Sequence, residues 1–175
     1  MVTRLDAIQG DITTVKTDVI VNAANSSLMG GGGVDGAIHQ AGGPAILAEC
    51  KEIVARRGRL PTGQAVITTA GDLPAHHVVH TVGPIWGTLP EDDAVELLAS
   101  CYRNSLDLSR EAGAESVTFP SISTGAYRFP KPLAARTAVA AVTDWAALEP
   151  GKVEKVTFVT FGRQDLDLYQ ELVGG

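Results

Sequence analysis

Basic residues are too few in this chain to make a surface for polyanions. Lys and Arg number 14 against 20 Asp and Glu, a formal net charge of −6. Binding DNA or RNA through phosphates needs clustered cations that displace counterions, so nucleic acid is disfavoured as a partner. An anionic small ligand would have to be held by backbone N–H groups instead. Cysteine is scarce as well: Cys50 and Cys101 lie far apart, lack the spacing of a metal centre, and read as buried thiols in a reducing compartment. No apolar run approaches the roughly 18 residues of a membrane span, and no signal-peptide core follows Met1. The chain therefore reads as a cytoplasmic protein with no membrane partner. Internal repeats, low-complexity tracts and linkers are also missing. With 175 residues, 45% apolar and 19% charged, residues 1–175 read as a single domain with an ordinary core.

Glycine, by contrast, is concentrated where the pattern changes. Val19-Ile20-Val21 is a continuous apolar run of the kind a strand covered on both faces shows. It breaks into Asn22-Ala23-Ala24-Asn25, crosses four consecutive glycines from Gly30 to Gly33, and resumes as Val34-Asp35-Gly36-Ala37-Ile38-His39. Bare glycine backbone lets a ligand approach the main chain, and a helix beginning near Asp35 adds positive partial charge suited to a diphosphate. Taken alone, the same run is also compatible with a flexible loop and Asp35 as an ordinary cap.

Around this stretch strands and helices alternate. Thr3–Gln9 and Thr17–Asn22 are expected as strands, Val34–Ala41 and Pro44–Arg57 as helices. Gln64–Ala70 and His77–Gly83 are β-rich, and the joint between them is too short for a crossover, so they should pair antiparallel. Glu91–Ala112 has a helical apolar face, Ser116–Pro120 is a buried strand, Lys131–Leu148 a second long helix. Val153–Phe161 is the last strand, with a short helix through Asp165–Leu172. The pattern predicts an α/β/α layer structure on a mixed sheet. Ligands of such sheets bind beyond the carboxyl ends of the strands. Four segments fall there: Gly10-Asp11-Ile12, Asn22 to Asp35, Ser121 to Tyr127, and Phe161-Gly162. One shared cleft is expected.

Within it, Ser123, Thr124, Gly125 and Ala126 would offer successive N–H groups to a second set of anionic oxygens. Neither a P-loop nor a dinucleotide fingerprint is present. From local sequence alone Asp11 reads first as a turn cap, and Phe161 first as core. Asp35 is the one carboxylate inside the glycine-rich stretch, suited to orienting or deprotonating a water, and Asn25 supplies a carboxamide across the loop. No Ser-His-Asp or Cys-His nucleophile is legible. His76 and His80 would share a strand face, but no acidic or cysteine ligand accompanies them in the sequence, so no metal is expected.

The segments Gly10-Asp11-Ile12-Thr13, Val19 to Asn25, Gly30 to His39, Pro61-Thr62-Gly63 with Val79-His80-Thr81-Val82-Gly83-Pro84, and Pro120 to Tyr127 together resemble MacroD-type macrodomains over essentially the whole chain. The resemblance implies a three-layer α/β/α macrodomain with a central mixed β-sheet that binds ADP-ribose without a cofactor. It implies hydrolysis of ADP-ribose esters: O-acetyl-ADP-ribose, and ADP-ribose on Asp or Glu side chains of modified proteins. Asn25 and Asp35 would then be the catalytic pair at the distal ribose. Asp11, with Ile12 beside it, would meet the adenine amino group and Phe161 the adenine face. Asn22, Ala24, Gly32, Gly33 and Val34 would line one side of the ligand; Ser123, Thr124, Gly125, Ala126 and Tyr127 would line the other. Arg128 stands where many members have glycine, Gln40-Ala41-Gly42 replaces a more usual basic-Ala-Ala run, and Leu60 stands where cysteine is common. A non-catalytic ADP-ribose reader is the alternative, which the Asn25/Asp35 pair argues against.

Overall fold

Val19-Ile20-Val21 lie at the middle of the sheet with no exposed surface on either face, which is why the run carries no polar alternation. The computed structural model describes residues 2–150 and 152–174. Its strands are β1 (Arg4–Gln9), β2 (Val19–Ala24), β3 (Ala65–Thr69), β4 (His77–Val82), β5 (Ser116–Phe119) and β6 (Lys155–Thr160). Its helices are α1 (Gly33–Gly42), α2 (Pro44–Arg57), α3 (Glu91–Glu111), α4 (Lys131–Leu148) and α5 (Arg163–Gly174), with a 3₁₀ turn at Ile12–Thr14. The six strands form one sheet in the order β1-β6-β5-β2-β4-β3. Only β3 runs antiparallel, against β4, as the short joint between them requires; the other pairs are parallel.

Alternate residues of the strands feed two cores. Val19, Val21, Val79, Val117 and Phe119 face α3, α4 and α5, whereas Ile20, Val78 and Val82 face α1 and α2. Tyr102 of α3 packs on Phe119 with ring centroids 4.8 Å apart, filling the larger core. Pro44 opens α2 at its first turn, where a missing N–H costs nothing, and Gly58 (φ 78°) ends it.

The expected elements are all found, with boundaries shifted by at most two residues. β2 starts two residues later than expected and continues to Ala24, because Asn22 to Ala24 pair in register with His80 to Val82 of β4. Ala23 and Ala24 are therefore strand residues rather than part of the turn. β6 is shorter than Val153–Phe161, and α5 starts at Arg163 rather than Asp165.

Gly36 and Gly83 are dictated by close approach. A Cβ on Gly36 would collide with the Gly31 carbonyl oxygen, and one on Gly83 with the Ser123 hydroxyl. Gly36→Ala and Gly83→Ala are each expected to cost about 1–3 kcal/mol and lower Tm by several degrees. Gly10→Ala, whose Cβ meets nothing within 4 Å, should be near neutral. Thermal unfolding of the three variants checks this.

Candidate functional site

The carboxyl ends of β4, β2, β5, β6 and β1 open onto two adjoining cavities of about 470 and 640 Å³, within the size range of small-ligand sites. The first is lined by Ala23 to Asn25, Gly31 to Asp35, Gly83 and much of the segment Ser121 to Tyr127. The second is lined by Gly10, Ile12, Val159, Phe161 to Asp165, and Lys131. Gly33, Val34, Ser121 and Gly125 border both, so the two form one continuous cleft. All four expected strand-end segments meet there.

The loop after β2 is pinned from inside. Leu28, in the left-handed region at φ 60°, buries its side chain in the smaller core with 1% exposure. Asn25 is held at both ends: its amide donates to the Gly30 carbonyl (2.9 Å) and its oxygen accepts from the Ser27 hydroxyl (2.6 Å). Among the described residues, no backbone N–H from Gly30 to Val34 or from Ser123 to Tyr127 donates an internal hydrogen bond. Two runs of N–H groups without an internal partner thus border the same cleft, and such donors are open to an external acceptor.

Asp35 sits in the first turn of α1, with 6% of its surface exposed. Its Oδ1 accepts from Asn22 Nδ2 at 2.9 Å and lies 3.4 Å from His39 Nε2. A Cβ on Gly31 would stand 3.4 Å from Asn25 Nδ2 and 3.5 Å from Asp35 Oδ2, so the two side chains converge over one point of the cleft floor. Burial raises the Asp35 pKa above the usual aspartate value of 3.8, opposed by the Asn22 hydrogen bond and by His39.

Ser123 is buried and left-handed at φ 67°, and its hydroxyl has no partner among the described residues. Arg128 is left-handed at φ 62°, a conformation glycine adopts without strain; its exposed side chain does not line the cleft. Phe161 is 67% exposed on the wall of the second cavity, so the local-sequence alternative of a core residue falls away. Lys131 and Arg163 also border that cavity, the positive charge that sequence reasoning missed.

One expected ligand contact is placed differently, and another stands beside the cleft without lining it. Asn22 has no exposed surface; its amide points inward to Asp35 and His80 instead of into the cleft. Asp11 does not line either cavity, although Gly10 and Ile12 do. Its carboxylate caps the 3₁₀ turn, accepting from Thr13 N (2.9 Å) and Thr13 Oγ1 (2.7 Å), and these bonds hold its pKa low.

The histidine pair is corrected too. His76 lies outside β4, 78% exposed beside Asp18, whereas His80 is buried with Cys50 Sγ 3.8 Å from its Nε2. His39, Cys50 and His80 do bring three ligand-type atoms within 4.8 Å of one another. Burial pushes the Cys50 thiol up to about 11, and His80 Nε2 is already engaged by Thr68 at 2.9 Å. The donor set is that of a packed polar cluster.

A family model described as the macro domain matches residues 21–138, the span from the central strand into α4. The chain belongs to the macro domain family. An O-acetyl-ADP-ribose deacetylase of Cronobacter turicensis is 53% identical over 171 residues, covering 98% of this chain and 96% of that one. Among solved structures, the Oceanobacillus iheyensis macrodomain with ADP aligns at TM-score 0.91 and 46% identity, over 97% of this chain and 90% of that one. A Trypanosoma brucei macrodomain in complex with ADP-ribose aligns at TM-score 0.88 and 35% identity, over 98% of this chain and 69% of that one. The mixed six-stranded sheet described above is the macro domain sheet.

In this macro domain the Asp35 carboxyl is expected to titrate above 3.8, the ordinary aspartate value. A ¹³C NMR titration of the side-chain carboxyls checks this, with Asp35→Asn to assign the resonance.

Proposed function

We propose that this chain binds ADP-ribose and hydrolyses esters on its distal ribose: O-acetyl-ADP-ribose and, as the finer assignment, ADP-ribose carried on Asp or Glu side chains. The observation that carries the reading is the convergence of Asn25 and Asp35 at one end of a cleft walled by two runs of free N–H groups. A diphosphate at the Gly33/Val34–Gly125 waist would accept from both runs, which lets an acidic protein hold an anion without a basic patch. The adenosine end would then extend along the second cavity, towards Ile12 and the exposed face of Phe161, an aromatic surface on which a base can stack. The distal ribose would fall between Asn25 and Asp35.

Asn25 reaches that position already oriented, so binding the ribose costs little further ordering. Asp35 keeps Oδ1 for Asn22 and His39 and leaves Oδ2 on the cleft side, at Gly31. A water held by Oδ2 would add to the acyl carbon as Asp35 takes its proton. Collapse of the tetrahedral adduct breaks the acyl–oxygen bond, and the proton passes to the departing ribose oxygen, releasing the carboxylic acid and ADP-ribose. A carboxylate whose pKa lies above the usual range is the stronger base for this step. Only the ionised form serves, so kcat/KM should fall as pH drops through the raised Asp35 pKa.

Asn25→Ala and Asp35→Ala are each expected to lower kcat/KM on O-acetyl-ADP-ribose by about 100-fold or more, with calorimetric affinity for ADP-ribose changed only a few-fold. Wild-type turnover should survive EDTA, since every group the step needs is on protein or substrate. Tight binding without turnover would make this a reader. Gly125→Val places its side chain in open cleft space, its Cβ meeting nothing within 4 Å. It should fold with an unchanged Tm and bind ADP-ribose at least about tenfold more weakly.

A further inference from the structure

Behind Asp35, between the sheet and the α1/α2 layer, a row of polar side chains crosses three adjacent strands. Asn22 of β2 stands in register with His80 of β4, and Thr68 of β3 lies beside His80 on the same face. Exposure is 0% for Asn22, 0% for His80 and 2% for Thr68. Asn22 Nδ2 lies 2.9 Å from Asp35 Oδ1 and 3.1 Å from His80 Nδ1. His80 Nε2 lies 2.9 Å from Thr68 Oγ1, which lies 2.9 Å from the Thr69 carbonyl.

Hydrogen-bond chemistry gives this row a direction. A carboxylate oxygen accepts only, so the Asn22 atom facing it must be the NH₂ nitrogen. That nitrogen also faces His80 Nδ1, which must then accept, placing the ring proton on Nε2. Nε2–H donates to the Thr68 hydroxyl, whose single proton goes to the Thr69 carbonyl. Each assignment forces the next. The cost is visible in Asn22 Oδ1, which is buried with no partner among the described residues. Such an orphan is accepted only where both amide protons are needed elsewhere.

We propose that Thr68, His80 and Asn22 form a one-directional hydrogen-bond relay that keeps the Asn22 amide donating to Asp35, which makes Thr68 and His80 positioning residues for that carboxylate. The relay requires a neutral imidazole, and burial holds His80 neutral down to about pH 3. The other titratable groups facing this region are His39 of α1, 3.4 Å from Asp35 Oδ1, and Cys50 of α2, protonated by burial. Glu49 of α2 is taken up by the Thr69 N–H at 3.1 Å. Neither His39 nor Cys50 touches Asn22 within hydrogen-bonding distance, so besides Asp35 itself only His80 bears on the amide's orientation.

The consequence for turnover rests on the reading of Asp35 as the base; the relay itself does not. Thr68→Val keeps the shape and deletes the oxygen acceptor for Nε2–H, leaving only the weak acceptor Cys50 Sγ at 3.8 Å. The ring proton then moves to Nδ1, the amide turns its oxygen inward, and Asp35 loses its donor. The carboxyl ¹³C titration of Asp35 should shift upward by about one unit in Thr68→Val and in His80→Phe, and remain at the wild-type midpoint in Thr68→Ser. The acid limb of kcat/KM should move by the same amount, while ADP-ribose affinity and the rate at high pH hold. An unmoved Asp35 midpoint in folded Thr68→Val overturns the relay, as does an equal shift in Thr68→Val and Thr68→Ser. A shifted NMR midpoint with an unmoved acid limb leaves the relay standing and removes Asp35 from its role as base.

Discussion

The hydrogen bond from Asn22 to Asp35 ties the central strand to the helix that follows the glycine loop, and the site depends on that tie. The intervening residues cannot define their own path: the loop contributes no buried side chain except Leu28, and glycine admits many conformations. Anchoring the two ends, β2 through its ladder with β4 and α1 through Asp35, leaves the loop little freedom. Leu28 and the doubly held Asn25 then settle the turn between them. Free N–H groups can be presented to a ligand here because the framework around them is rigid.

That arrangement reconciles an acidic protein with an anionic ligand. Point charges from Lys or Arg would attract any polyanion, whereas facing rows of N–H groups hold oxygens at defined positions. Lys131 and Arg163 sit at the second cavity only, away from Asn25 and Asp35. The end of the cleft proposed to take the ester thus holds one carboxylate whose pKa is raised by burial, against the opposing effect of one donor and one imidazole.

The element order, the mixed sheet and the cleft at the carboxyl ends of the strands were legible from periodicity and punctuation. Val19-Ile20-Val21 announces a strand covered on both faces, and Gly71 to Pro74 is too short for anything but an antiparallel return. Asn22 was expected at the end of its strand and beside the ligand; the β4 ladder carries the strand two residues further and turns the Asn22 side chain inward. Asp11 stands between two lining residues and gives one carboxylate oxygen, Oδ1, to Thr13. Phe161 borders the second cavity, which its local sequence taken alone does not say.

By itself the sequence determined what is local: apolar runs that must be strands, glycines where the backbone must turn or be approached, and a scarcity of Lys and Arg that disfavours a basic surface for polyanions. Only the tertiary structure decided which residues meet. Asn22, Thr68 and His80 are separated by up to 58 positions and share no motif. They become one row because β2, β4 and β3 lie side by side in a fixed register. Strand adjacency comes from packing both sheet faces at once, a many-body constraint that no window of sequence contains.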